Sequence, residues 1–135
     1  MKIIICDSND NIMDTMKSYT DLEQSKKLAE ILPLESADMC YLPTHIGDEH
    51  HFIACLSPYS VCTKMTDVSI EYCTPCWSLA ALLDVLPEIQ GGKPVISLYD
   101  NYITYPHMSG LHTKADNLID ACYEMILKLH EQNIL

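Results

Sequence analysis

At 135 residues, the chain suits a single domain that can bury a core without disulfide or metal staples. Apolar residues make up 48% of it and run along its whole length, which excludes a disordered chain. Its 8 basic and 19 acidic residues leave a net charge of −11, which counts against nucleic-acid binding through phosphate contacts and against anionic membranes.

Residues 1–18 read ambiguously. Residues 2–6 are rich in Ile and suit a short strand, "DSNDN" is a polar turn, and "IMDTMKSY" can begin another element. The start of the chain is either a separate short strand or a loosely held arm. The first clear helix covers residues 20–32, with Thr20 and Glu23 spaced as a capping box and Pro33 as its stop. A short strand follows at residues 39–42. Residues 44–51, "THIGDEHH", are polar, contain Gly and read as a turn. "HFIACLS", "YSVCT" and "DVSIEYC" are further short strands.

The next stretch, "EYCTPCWSLAALLDVLP", sets a C-x-x-C at Cys73 and Cys76 before a leucine stripe. Thr74 suits an N-cap and Pro75 the first helical position. Leu79, Leu82, Leu83 and Leu86 then follow i, i+3, i+4, i+7, so one helical face is buried, with Trp77 at its start packing into the core between this helix and a sheet. "QGG" at residues 90–92 is a loop. Residues 94–106 predict a β-hairpin turning at Asp100-Asn101, because Asp and Asn tolerate left-handed backbone. Residues 114–132 predict a long amphipathic helix, capped by Thr113 or a neighbour, with Leu118, Cys122, Met125 and Leu129 inward. The order of helix, strands, helix, hairpin, helix lacks regular β-α alternation. It predicts an α+β fold in which a small antiparallel sheet packs with about three helices in one layered domain.

The chemistry-bearing residues are few. A C-x-x-C at a helix N-terminus is the arrangement that lowers a thiol pKa in thiol-disulfide enzymes. Here, however, the Trp follows the pair, no βαβ unit leads into it, and Pro106 is an uncertain candidate for the cis-proline such sites use. Cys73 and Cys76 are also one pair of a potential zinc site, but Cys40, His45, His50 and His51 do not supply a second pair at a common spacing, and His107 and His112 stand five apart. No metal or cofactor is expected. The chain has only 4 Gly, with no phosphate-binding glycine loop and no nucleophile elbow. Seven cysteines without an export signal before them, and no apolar run of membrane-spanning length, predict a cytoplasmic protein with reduced thiols. The acids are scattered and suit a solvated surface; convergence on one face would suit a basic partner. Asp116, Asp120 and Glu124 fall at i, i+4, i+8 on the last predicted helix and are the candidate binding stripe.

Three blocks, "DLEQSKKLAEILPLESADMCY", "PCWSLAALLDVLPEI" and "ADNLIDACYEMILKLHEQ", resemble, in that order, a family of small uncharacterised proteins of Bacteroides-type gut bacteria and their prophages or mobile elements. The resemblance runs from about Tyr19 to the end and makes Trp77, Ser78 and the leucines the family-like part of the central block. It implies no activity. The expectation is a non-enzymatic, cytoplasmic α+β domain that binds another macromolecule, a protein; the alternative is a thiol-disulfide redox protein using Cys73 and Cys76.

Overall fold

The computed structural model describes residues 2–6, 12–46, 49–55 and 73–135, with side chains described over residues 17–42 and 73–135. The fold is α+β. Among these residues the chain runs β1 (Lys2–Cys6), β2 (Ile12–Lys17), α1 (Leu22–Ala29), a 3-10 turn (Leu34–Ser36), β3 (Met39–Ile46), β4 (Glu49–Cys55), β5 (Thr74–Cys76), α2 (Leu79–Val85), β6 (Val95–Ser97), β7 (Tyr102–Thr104), β8 (His112–Lys114) and α3 (Leu118–Glu131). The strands divide among three small antiparallel sheets ordered β1-β2, β4-β3-β5 and β6-β7-β8. The chain falls into two compact units, residues 20–85 and residues 1–19 with 86–135. The strand candidate at residues 59–63 lies outside the described residues, as does all of the one at residues 67–73 except Cys73, which directly precedes β5.

In the unit of residues 20–85, α1 begins one residue later than the sequence suggests. Asp21, not Thr20, is the N-cap: its carboxylate accepts the Gln24 N–H at 2.8 Å, and the Gln24 side chain accepts the Asp21 N–H at 3.1 Å. This is a complete capping box, with Gln in place of Glu. Thr20 is released from that role by burial, as described below. The helix packs against β5 and buries Ser25 and Leu28.

The expected turn at residues 44–51 is largely strand. β3 runs to Ile46 and β4 starts at Glu49, so Thr44 pairs with His51 and His45 with His50. Polar composition misleads here, because strand formation follows cross-strand pairing more than intrinsic preference. Positions 47 and 48 lie outside the described residues.

The helix predicted to start at Thr74 is also shifted. Thr74–Cys76 is an edge strand whose three residues pair with Tyr41, Cys40 and Met39. Pro75 is tolerated there because an edge strand leaves one backbone side without a ladder partner. Ser78 caps the helix instead, its hydroxyl accepting the Ala81 N–H at 3.2 Å. The leucine stripe is real but shorter: Leu82 is fully buried and Leu86 lies just past the helix end. Trp77, between β5 and α2, is fully buried, and its indole N–H donates to the Ser36 hydroxyl at 2.9 Å.

In the other unit, β1 and β2 pair along their length with an irregularity at Ile5 and Cys6. The hairpin expected at residues 94–106 forms, pairing Val95 with Thr104, Ile96 with Ile103 and Ser97 with Tyr102, so its turn takes four residues, 98–101, rather than Asp100-Asn101 alone. Asn101 takes the left-handed conformation at φ 51° that its turn position requires. β8, absent from the sequence-based expectation, adds a third strand. Thr113 therefore sits in a strand rather than capping α3; it is buried and donates to the Ala121 carbonyl at 2.8 Å. Asn117 is the cap, accepting the Asp120 N–H at 2.9 Å. α3 packs on β7 and β8, and its stripe of Leu118, Cys122, Met125 and Leu129 is buried together with Ile119 and Ile126.

Candidate functional site

Three places bear on function: the cysteine pair, the acidic stripe and the tip of the β6–β7 hairpin.

Cys73 and Cys76 are buried free thiols. Neither stands at a helix N-terminus, since Cys76 is in β5 and α2 starts at Leu79. Burial raises the pKa of Cys73. Burial also raises that of Cys76, helped by the nearby Asp38 carboxylate and opposed by hydrogen bonding to Thr20 and Ser25. A nucleophilic thiolate needs the opposite direction. No peptide bond is cis among the described residues, Pro106 included.

What surrounds Cys76 is a buried polar knot. Thr20 is fully buried, and its hydroxyl lies 2.7 Å from the Ser25 hydroxyl, accepts the Trp77 N–H at 3.2 Å and reaches Cys76 Sγ at 3.6 Å. The Thr20 carbonyl accepts from Tyr41 Oη at 2.7 Å and from Cys76 Sγ at 3.5 Å. Burial, with smaller contributions from Cys76 and Asp21, raises the Tyr41 pKa and keeps it a neutral donor. Beside the knot, Asp38 accepts the Ser78 N–H at 2.9 Å and the Ser78 hydroxyl. Every buried side-chain N and O among the described residues has a partner. The geometry does structural work: it ties the residue before α1 to the strand before α2. Sequence reasoning missed it, because a buried Thr is indistinguishable in sequence from an N-cap Thr one position before the true cap.

No group of three or more His, Cys, Asp or Glu is placed to hold a metal ion among the described residues. The side chains of His45, His50 and His51 lie outside them. His107 and His112 serve separate strands and turns: His107 Nε2 lies 2.6 Å from the Ile89 carbonyl, and the His112 ring sits 6.0 Å from that of Tyr102.

The acidic stripe is broken. Asp116 precedes α3, and so does not share a helical face with Asp120 and Glu124. Asp120 is half-buried and bonded to Lys17 Nζ at 2.9 Å and to Asn117 Nδ2 at 2.8 Å. Of the three candidates, Asp116 and Glu124 are exposed. Asp116 belongs instead with the hairpin tip, since its carbonyl accepts from Asn101 Nδ2 at 3.0 Å.

That tip carries the most unusual surface: Leu98 is 74% and Tyr99 95% exposed, while Val95, 54% exposed, stands at the other end of β6, opposite Thr104. Sequence reasoning did not point to it: with the turn placed at Asp100-Asn101, Leu98 and Tyr99 read as strand residues, and it is the Ser97–Tyr102 register that puts them in the turn.

No family model matches the chain, and no curated protein or solved structure matches it. Among the described residues, no helix is long and apolar enough to cross a membrane.

Proposed function

We propose that the chain is a non-enzymatic, cytoplasmic binding domain whose partner is another protein, in keeping with its resemblance to the small proteins of Bacteroides-type bacteria and their mobile elements. One observation carries it. Of the four exposed large hydrophobic residues among the described ones, three, Val95, Leu98 and Tyr99, fall within residues 95–99. Scattered exposed apolar residues are ordinary; the adjacent pair Leu98 and Tyr99, the most exposed of the four and together in one turn, marks an interaction surface. The buried thiols with raised pKa values give the redox alternative no support.

The test is a pull-down from the native host with the tagged full chain, set beside an unrelated acidic protein of similar charge. The expected result is a protein enriched by this chain alone. Thiol-disulfide exchange activity that disappears in Cys73→Ser and Cys76→Ser would replace this reading with the redox one.

A further inference from the structure

We propose that the β6–β7 tip is an anchor that inserts Leu98 and Tyr99 into an apolar pocket of the partner protein, and that the rim of that pocket is basic. This rests on the protein-binding reading above and adds where the contact lies and what chemistry it meets.

Three features of the tip point the same way. Its apolar side chains face water: Leu98 is 74% and Tyr99 95% exposed. A solvent-facing Tyr beside a Leu offers large contact area at low rotamer entropy, and Tyr is enriched among the few residues that dominate interface energy. The tip is also braced. The Asp100 N–H reaches the Ser97 hydroxyl at 3.4 Å, Asn101 Nδ2 donates to the Asp116 carbonyl at 3.0 Å, and the Ala115 N–H donates to the Asn101 carbonyl at 3.3 Å. Beneath it, Ile103 of β7 is fully buried where the strand packs on α3. A presented side chain on a braced turn loses less freedom on binding than one on a loose loop.

The third feature is charge. Asp100 follows Tyr99 directly, and the Asn101 bond holds Asp116 next to the turn. Both are exposed, and neither has an ion-pair partner among the described residues. Lys114, opposite Tyr102 in register, is the nearest cation on the sheet and offsets only part of this pair. The whole chain carries −11, so its long-range field attracts a basic surface and repels an acidic one, a second copy of this chain included.

The experiment uses the full chain as bait in native-host lysate, alongside Leu98→Ser/Tyr99→Ser, Tyr99→Phe and Asp100→Asn/Asp116→Asn. All the substituted positions are exposed, so folding is retained and is checked by circular dichroism. The double Ser variant should hold the captured protein about 30-fold more weakly, the scale of truncating an anchor residue. Tyr99→Phe should hold it nearly as well as the parent. The double Asn variant should bind more weakly at low salt and lose less on raising the salt. If the double Ser variant captures the same protein undiminished, the anchor is wrong while the protein-binding reading stands. If the parent captures nothing, that reading fails and takes the anchor with it. An unchanged salt dependence in the double Asn variant overturns the basic rim. Sedimentation that shows the parent self-associating through Leu98 and Tyr99 assigns the tip to a second copy and overturns the proposal.

Discussion

Thr20 and Trp77 bind each other twice: the Thr20 N–H donates to the Trp77 carbonyl at 3.0 Å, and the Trp77 N–H donates to the Thr20 hydroxyl at 3.2 Å. The pair lies 57 residues apart in sequence and joins the entry of α1 to the exit of β5. Long-range pairing of this kind closes a loop, so the polar groups that secure it must be satisfied inside the fold.

Replacing Thr20 by Val keeps the shape and removes the hydroxyl. The Trp77 N–H then has no acceptor, and the Ser25 hydroxyl loses a neighbour at 2.7 Å. We expect Thr20→Val to lose about 1–3 kcal/mol of stability in urea unfolding, the scale of an unsatisfied buried donor. Thr20→Ser, which keeps the oxygen, should lose less than Val does. Equal stability of the Val variant and the parent would mean that the hydroxyl contributes nothing.

The thiols give a second expectation. Cys76 and Cys122 are fully buried and Cys73 nearly so, and burial raises all three pKa values. At pH 8 a disulfide reagent should react with these three only as fast as the chain opens, and at once when it is unfolded in denaturant. Mass mapping of the labelled cysteines follows each one separately, and Cys40, also fully buried, should react as slowly. Rapid labelling of Cys76 in the native protein would contradict its burial.

Legibility of the sequence followed the physical range of each signal. The α3 stripe and the 94–106 hairpin were readable because periodicity and the Asp100-Asn101 turn are local properties. The starts of α1 and α2 were not, by one residue and by several. Thr20 and Thr74 each look like caps, yet one is buried by partners 57 residues away and the other is paired to Tyr41 in a sheet. Those partners are set by tertiary pairing, which composition does not encode. Asp120 shows the same limit at the candidate site: its i, i+4 relation to Asp116 and Glu124 suggests a free stripe, and only the fold reveals Lys17 against it. The tip is a further case: a turn at Asp100-Asn101 leaves Leu98 and Tyr99 in the strand, and only the Ser97–Tyr102 register puts them in the turn.

Alkaline pH should weaken the fold in a predictable window. Burial raises the Cys122 thiol from an ordinary 9.0 to about 12, and the Tyr105 hydroxyl from 10.0 to about 12. Both groups are neutral when protonated, and the folded chain holds the proton more tightly than the unfolded one. Their contribution is therefore complete below pH 9 and declines as pH rises toward 12. Urea midpoints at pH 8 and pH 11 should show the loss, and Cys122→Val should show a smaller one. A parallel pH dependence in the variant would remove Cys122 as a cause.

His107 and Gly92 offer the sharpest test of local packing. Residues 89–92 form a tight turn in which Ile89 and Gly92 exchange two backbone bonds at 2.9 Å, with Gln90 at φ 51° and Gly91 at φ 77°. His107 lies across it, its Nε2 2.6 Å from the Ile89 carbonyl. A methyl group at position 92 would meet the His107 imidazole, nearest at Cε1, far inside contact distance. His107 is exposed, so its ring can swing outward and the turn can survive. The loss is then the hydrogen bond and its packing, on the order of 1 kcal/mol for Gly92→Ala. His107→Ala removes the same bond and should lose a similar amount. Because each substitution abolishes one shared interaction, Gly92→Ala with His107→Ala should be little worse than either alone. Additive losses in that cycle would show that the methyl group disturbs the turn itself rather than displacing the imidazole.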